Sequence, residues 1–258
     1  MYVKLLIIIL LQISYTQLFS IWTGSHTVKK GSPDMVKTSL KTVAYNALRR
    51  KIVSCEYAPG MFLNEDMLIS ALELGRTPIR DALIRLEHEG LVEIRPKKGI
   101  FVTPLNLNDI NMIFEIRLLY EPYILLNYGK LLPREMLTHY EGIFSNPPVD
   151  SFQHFDGLNI FELDNEFHSM IVTACPNIYI KQTYALTQTQ NERFRHMTGI
   201  RTDNRLDNTF REHLDIVKAC LKENWKDAAA KMKYHIEISR QSTFQLAFES
   251  AASLPVMP

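Results

Sequence analysis

One acidic residue and three histidines have the side chains and the spacing of a metal-binding set. Asp164 and His168 are four residues apart, so they lie on one face of a helix. His213 and His235 lie on later helical segments among apolar neighbours, so both are expected to face a core. One carboxylate and three imidazoles suit Zn²⁺, Ni²⁺, Mn²⁺ or Fe²⁺, and the spacing does not select the metal. The sequence therefore predicts a divalent metal site inside a helical bundle.

A competing interpretation applies to each histidine. A histidine on an apolar helix face is more often a hydrogen-bonded core residue than a metal ligand. For any one of the three taken alone, that interpretation is favoured. Three histidines together with an aspartate one helical turn from the first of them shift the balance towards a metal.

The second candidate site lies in the stretch RTPIRDALIRLEHEGLVEIRPKKGIF, which begins at Arg76. Its spacing predicts a helix with Arg76, Thr77 and Arg80 at the front and an apolar face behind them. A short strand, a basic turn with Lys97 and Lys98, and a second strand follow. A helix led by Arg and Thr, followed by a hairpin with a cationic tip, suits duplex DNA. The helix would enter the major groove and the tip would lie on the backbone.

Arg117 is a further candidate, on the first long helix of the C-terminal part. In one interpretation it forms an ordinary ion pair with Glu121, four residues on, at a solvated helix face. In the other, its guanidinium turns into the bundle and binds a ligand carboxylate through two nitrogens. From the residues alone the surface ion pair is favoured.

The elements that position these residues divide the chain in two. Apolar spacing predicts helices from Ser39 to Val53 and from Glu65 to Leu72, the second capped by Asn64. With the helix at Arg76 and the two strands, they form a winged helix-turn-helix. After Pro104 every segment has helical periodicity, which predicts an all-α antiparallel bundle of about six helices. These segments are 106–127, 133–144, 152–174, 179–197, 205–221 and 225–247. The predicted fold is mainly α.

Length and composition agree with this division. A chain of 258 residues accommodates two domains, and an apolar fraction of 46% is typical of globular proteins. The predicted domains are residues 35–104 and 105–250, with a tail at 251–258. The first domain has eleven Lys or Arg against eight Asp or Glu, a net charge of +3. The three cysteines are far apart and odd in number, which fits a reducing cytoplasm.

The first residues carry a different signal. Lys4 is followed by the apolar run LLIIILLQI, which has the length of a signal-peptide core but is too short for a convincing membrane span. No small-x-small cleavage site follows it. A secreted or anchored protein stays an alternative. We favour Met35 as the true start, with residues 1–34 as an upstream extension of the reading frame or a disordered tail.

The order and spacing of the motifs resemble GntR-type bacterial transcription regulators of the FadR branch, whose C-terminal ligand-binding module is the FCD domain. The resemblance covers about Leu40 to Ala247. In the first half it rests on the APG turn at residue 58, on RTPIRDALIRLEHEGL and on PKKGIFV. In the second half it rests on EIRLLYEP, LDNEFH and EHLDIVKACLKENWKDAAAKMKYHI.

The resemblance implies roles for residues of the first domain. Arg76, Thr77 and Arg80 match positions that contact operator bases and phosphates. Gly99 matches the glycine at the tip of the wing, which enters the minor groove where a side chain would clash.

It also implies roles for residues of the second domain. Asp164, His168, His213 and His235 match the four metal ligands of FCD domains. Arg117 matches an arginine that is often found near the effector, for which a metabolite carboxylate is the best candidate.

Three residues depart from the family pattern. Glu73 stands where the family usually has a glycine in the turn. Gly75 stands where a serine usually caps the next helix, a change that costs only a few tenths of a kcal/mol. Asp66 stands where some relatives have an arginine for a DNA phosphate. These departures leave the operator sequence open.

The sequence therefore predicts a DNA-binding transcription regulator, expected to be a repressor and not an enzyme. A homodimer would bind an inverted repeat, because the two-fold symmetry of the protein is mirrored in its site. A small carboxylate effector bound at a divalent metal would shift the dimer between two arrangements. The alternative is a metal-dependent hydrolase, because a His₃Asp site with open positions can activate water. A hydrolase, like a metal-storage or structural helical protein, leaves the Arg-Thr helix and the basic wing unexplained.

Overall fold

The structure, a computed structural model, describes residues 39–146, 160–198 and 203–252. The predicted extension at residues 1–34 and the choice of Met35 as the start lie outside the described residues, as does most of the predicted tail. The same holds for the beginning of the helix predicted from residue 152.

Three helices and a small sheet form the N-terminal part. Ser39 caps the first helix, and Asn64 caps the second by accepting a hydrogen bond from the Asp66 backbone N–H at 2.8 Å. Apolar side chains of the three helices meet in one core, in which Leu48, Ile79 and Leu83 are fully buried. The elements are α1 (Leu40–Val53), β1 (Phe62–Leu63), α2 (Glu65–Leu72), α3 (Arg76–His88), β2 (Val92–Arg95) and β3 (Gly99–Val102).

The sheet has one strand more than the sequence predicted. Its order is β1-β3-β2, both pairings are antiparallel, and Phe62 of β1 lies opposite Phe101 of β3. The two residues of β1 are too few to show the alternation by which a strand is recognised. The predicted winged helix-turn-helix is otherwise confirmed, with a wing of three strands where two were expected.

Six α-helices of the described residues form the C-terminal part. Asn106 begins the first with a capping box, in which its side chain accepts from the Asp109 backbone N–H and Asp109 accepts in return. The elements are α4 (Leu107–Tyr128), a 3₁₀ turn (Gly129–Leu131), α5 (Arg134–Ser145), α6 (Ile160–Thr173), α7 (Ile178–Thr198), α8 (Asp203–Leu221) and α9 (Trp225–Ala252). The predicted mainly α fold is confirmed. No helix of the described ranges is both long and apolar enough to span a bilayer.

The packing of these helices determines what reaches the interior. α4 packs along α9, α8 packs on α5 and α9, and α7 lies against α4, α6 and α9. α7 also packs against α1 of the N-terminal part. This helix is therefore in contact with both parts of the protein.

Candidate functional site

The predicted metal ligands come together from three helices. Asp164 and His168 lie on α6, His213 on α8 and His235 on α9, and one ligand atom of each lies within 4.8 Å of the others. His213 Nε2 is 3.1 Å from His235 Nε2 and 3.5 Å from Asp164 Oδ1. Ligand atoms that share a metal about 2.1 Å away lie about 3 to 3.5 Å apart. The separations among Asp164, His213 and His235 therefore match a coordination shell, and His168 Nε2 lies somewhat farther off, 3.9 Å from Asp164 Oδ1.

Carboxylates orient two of the imidazoles from behind. Glu121 lies 2.5 Å from His168 Nδ1, and Glu212 lies 2.7 Å from His235 Nδ1. A carboxylate that accepts from Nδ1–H leaves the lone pair of the imidazole on Nε2. His168 Nε2 is buried and has no hydrogen-bond partner among the described residues. An unpaired buried acceptor with this orientation fits a metal ion.

Charges around the cluster keep its ligands in their metal-binding forms. Burial raises the pKa of Asp164, but Arg195, His168 and His213 together hold it well below its usual range. Arg195 lies 2.5 Å from Asp164 Oδ2. Burial and the neighbouring His235 lower the pKa of His213 well below its usual range. Asp164 is therefore a carboxylate and His213 a neutral imidazole at neutral pH, as coordination requires.

Arg117 forms the predicted pair with Glu121, but the predicted solvated face is wrong. Its Nε lies 2.7 Å from Glu121 Oε1, and both side chains are fully buried. Glu121 also accepts from the Tyr184 hydroxyl at 3.0 Å and contacts His168. Burial raises the pKa of Glu121, yet Arg117 and His168 lower it to about 2. The two terminal nitrogens of Arg117 are buried and have no hydrogen-bond partner among the described residues.

The residues predicted to contact DNA lie at the surface of the N-terminal part. Arg76, Thr77 and Arg80 are exposed at the start of α3. Two acidic residues of α2 hold the arginines: Arg80 donates to Glu65 at 2.7 and 3.2 Å, and Arg76 donates to Asp66 at 2.7 Å. Their guanidinium groups are therefore oriented before any partner arrives.

The backbone conformation of the turns beside α3 favours glycine at two positions, one of which holds a glutamate in this chain. Gly99 has φ +102°, and a Cβ there would lie 2.3 Å from the Phe62 ring, so the wing requires glycine for its own fold. The exposed Lys97 and Lys98 precede it in the tip. Glu73 has φ 52° and ψ 36°, the left-handed conformation in which glycine is most favourable. Glutamate in this conformation carries a conformational cost.

Several contacts of the site were not predicted, among them those of Glu121 with His168 and of Glu212 with His235. Glu121 and Glu212 stand next to predicted residues, one helical turn from Arg117 and directly before His213, so their position was a usable signal. Tyr184 and Arg195 reach the site from α7, and no local pattern marks them.

Comparisons with known proteins match both the N-terminal DNA-binding part and the C-terminal helical part of the chain. Residues 40–102 match the family described as "Bacterial regulatory proteins, gntR family", and residues 150–238 match the FCD domain. The HTH-type transcriptional repressor RspR of Escherichia coli K12 is 25% identical over 207 residues, which cover 80% of this chain and 90% of that protein. The HTH-type transcriptional regulator YdhC of Bacillus subtilis 168 is 27% identical over 194 residues, 74% of this chain and 84% of that protein.

A solved structure has the same fold. A GntR transcriptional regulator from Rhodococcus sp. RHA1 superposes with a TM-score of 0.67 at 18% identity, covering 81% of this chain and 99% of that one. The matched domains and the two relatives belong to transcription regulators, not to enzymes. Residues 40–102 thus match a GntR-type DNA-binding domain and residues 150–238 an FCD domain, which is consistent with a GntR-family transcription regulator.

Proposed function

We propose that this protein is a repressor of the FadR branch that binds an inverted-repeat operator as a homodimer. A small organic acid, bound beside a divalent metal in the helical domain, would control the affinity for the operator. The observation that carries the proposal is that α7 contacts both the metal cluster and the winged helix-turn-helix. The proposed domains are residues 35–104 and 105–250, and the proposed location is the bacterial cytoplasm.

The DNA contacts follow from the exposed front of α3. Arg76 and Arg80 read base edges in the major groove, with Thr77 beside them. Lys97 and Lys98 contact phosphates, which supply affinity without sequence preference. Gly99 brings the wing backbone close to the minor groove.

The metal would be held by Asp164, His168, His213 and His235. Three nitrogen ligands and one oxygen ligand suit Zn²⁺, Ni²⁺, Mn²⁺ or Fe²⁺. A bound ion supplies a Lewis acid to which a carboxylate can bind. Phe144 and Phe167 pack against the His213 ring, with centroids 5.0 and 4.7 Å away, and shield this side of the cluster from water.

The effector would bind Arg117 through its carboxylate. The unpaired terminal nitrogens of the guanidinium match the two oxygens of one carboxylate. A buried donor without a partner costs about 1 to 3 kcal/mol, which a bound acid would recover. This favours an anionic ligand over an empty interior.

Helix α7 offers a route from the effector to the DNA-binding domain. On the side of the cluster, Tyr184 donates to Glu121 and Arg195 pairs with Asp164. A ligand that moves either acidic residue therefore acts on α7 directly.

The opposite side of α7 holds the N-terminal part. Arg193 is fully buried and donates to the Thr103 carbonyl at 2.5 Å, and Arg49 of α1 donates to Thr189 at 2.8 Å. A shift of α7 would then change how the two winged domains of a dimer are spaced, which decides whether they fit two operator half-sites.

The test is the salt dependence of binding to duplex DNA by the full chain. We expect an Arg76→Ala, Arg80→Ala double variant to lose operator binding, because it removes the base contacts. A Lys97→Ala, Lys98→Ala variant removes phosphate contacts instead, and should reduce the slope of log affinity against log salt by about 2. A Lys130→Ala, Lys222→Ala variant removes the same charge from exposed positions of the helical domain and should bind like the wild type. Unchanged binding by the first variant, with its fold intact, would overturn the proposal.

A further inference from the structure

Helix α7 carries a buried amide that no described residue binds. Asn191 is 1% exposed, and neither its Oδ1 nor its Nδ2 has a hydrogen-bond partner among the described residues. Unpaired buried amides are rare in folded proteins because they lose their bonds to water without replacement. Something other than the described side chains must therefore make this residue favourable.

Helical spacing places Asn191 on the side of the metal cluster. Tyr184, Asn191 and Arg195 follow one another at intervals of seven and four residues, so they lie on one face of α7. Tyr184, at one end of this face, donates to Glu121 at 3.0 Å. Arg195, at the other end, pairs with Asp164 at 2.5 Å. Asn191 therefore lies between two contacts of α7, that of Tyr184 with Glu121 and that of Arg195 with Asp164.

Three of the unpaired buried groups among the described residues concern this ligand, and each requires a different partner. The terminal nitrogens of Arg117 only donate, and His168 Nε2 offers a lone pair to a metal. The Asn191 amide both donates and accepts. A ligand with a carboxylate alone satisfies the guanidinium and the metal but leaves the amide unpaired. A hydroxyl satisfies it, because a hydroxyl also donates and accepts.

The charge of the site favours a hydroxyl over an ammonium group. The buried carboxylates of Glu121 and Asp164 are paired with Arg117 and Arg195. Glu212 adds a third carboxylate behind His235, so a divalent ion leaves the site with one net positive charge, and an ammonium on the ligand would be repelled by it. A ligand with a carboxylate and an uncharged polar group fits better than an amino acid.

We propose that Asn191 is a specificity-determining residue, and that its amide pairs with a hydroxyl of the effector. The effector is then a hydroxycarboxylate. This inference rests on the proposed function, since it requires a carboxylate held by Arg117.

Matched acids with and without a hydroxyl test the proposal. Isothermal titration of the full-length, Zn²⁺-loaded protein compares lactate with propionate and malate with succinate. We expect the wild type to bind the hydroxylated member of at least one pair roughly tenfold more tightly, the worth of one hydrogen bond. Asn191→Leu, similar in size but apolar, should bind both members of that pair equally. A preference that persists in Asn191→Leu would assign the hydroxyl to the metal and overturn the proposal.

A melting experiment separates ligand selection from a structural role. Without ligand, Asn191→Leu should melt at or above the wild-type temperature, because it removes an unpaired buried amide. A lower melting temperature would mean that Asn191 supports the fold, and would overturn the proposal.

An Arg117→Lys variant distinguishes a failure of the proposed carboxylate effector from a failure of the role of Asn191. It keeps the charge beside Glu121 but cannot bind a carboxylate through two nitrogens, so it should bind every acid more weakly. If no acid binds the wild type, or if Arg117→Lys binds as well as the wild type, the proposed carboxylate effector fails and the inference fails with it. If acids bind through Arg117 without preference for a hydroxyl, only the role of Asn191 fails.

Discussion

Arg117 and Glu121, one turn apart on α4, form a completely buried ion pair with 2.7 Å between Nε and Oε1. Glu121 also contacts His168, a predicted metal ligand, and accepts from Tyr184 of α7. One carboxylate thus joins the predicted effector arginine, the metal cluster and the helix that reaches the DNA-binding domain. A pair placed in this way is suited to sensing a ligand.

The buried pair predicts a large loss of stability when one partner is removed. Arg117→Met should lower the free energy of unfolding by about 3 to 5 kcal/mol, because Glu121 is left buried with less compensation. Lys231→Met removes a partly exposed pair with the same i, i+4 spacing, Lys231–Asp227 at 2.6 Å, and should cost less than about 1 kcal/mol. Urea titration of both variants measures the difference, and equal losses would contradict the buried placement.

The metal site predicts a graded loss of metal affinity. His213→Ala removes a ligand and should abolish stoichiometric metal, as measured by elemental analysis of the purified protein. Glu212→Gln weakens only the orientation of His235 and should reduce affinity by about 10- to 100-fold in competition with a chelator. His88→Ala, an exposed histidine on α3, is the control and should keep full stoichiometry. Full metal content in His213→Ala would reject this ligand set.

The contacts of α7 predict that the effect of the metal on DNA affinity can be removed without destroying the metal site or the DNA-binding surface. Thr189→Val takes away the acceptor for Arg49, and Arg193→Met takes away the donor to the Thr103 carbonyl. In both variants, we expect the ratio of DNA affinities with Zn²⁺ and with chelator to approach one while metal binding persists.

The control for this experiment lies on the same helix. Thr187 bonds only within α7 in the contacts described, to the Thr183 carbonyl, so Thr187→Val should keep the wild-type ratio. Fluorescence anisotropy with labelled duplex measures all three variants. A wild-type ratio in both Thr189→Val and Arg193→Met would show that α7 does not transmit the signal.

The wing predicts a glycine requirement that is independent of DNA. Gly99→Ala should lower stability by about 1 to 3 kcal/mol, since it combines a positive φ with a Cβ 2.3 Å from the Phe62 ring. Gly142→Ala, in the middle of α5 with nothing within 4 Å of its added Cβ, should raise stability by about 0.5 to 1 kcal/mol. Thermal unfolding without DNA compares the two, and a neutral Gly99→Ala would leave only a DNA-based reason for the glycine.

Local sequence patterns were sufficient to predict most of the helices and the two-part organisation of the chain. Helix caps such as Asn64 and apolar stripes such as that of α3 are set by neighbours within a few residues, so they can be read from the sequence and match the structure. The two-residue strand β1 was not predicted, because its pairing with β3 joins residues about forty positions apart. The same local spacing singled out Asp164 and His168 as one face of one helix.

What the tertiary structure decided is which side chains share an interior. The i, i+4 spacing of Arg117 and Glu121 is the same for a surface pair and a buried one, and only packing against the other helices removed both from water. Arg195 and Asn191 carry no pattern in the sequence, because their importance comes from elements distant in the chain. The arginines of α3 were evident from sequence, whereas the acidic residues that orient them, Glu65 and Asp66, became partners only when α2 packed beside α3. Periodicity is a property of one element, but burial and pairing depend on how several elements pack together.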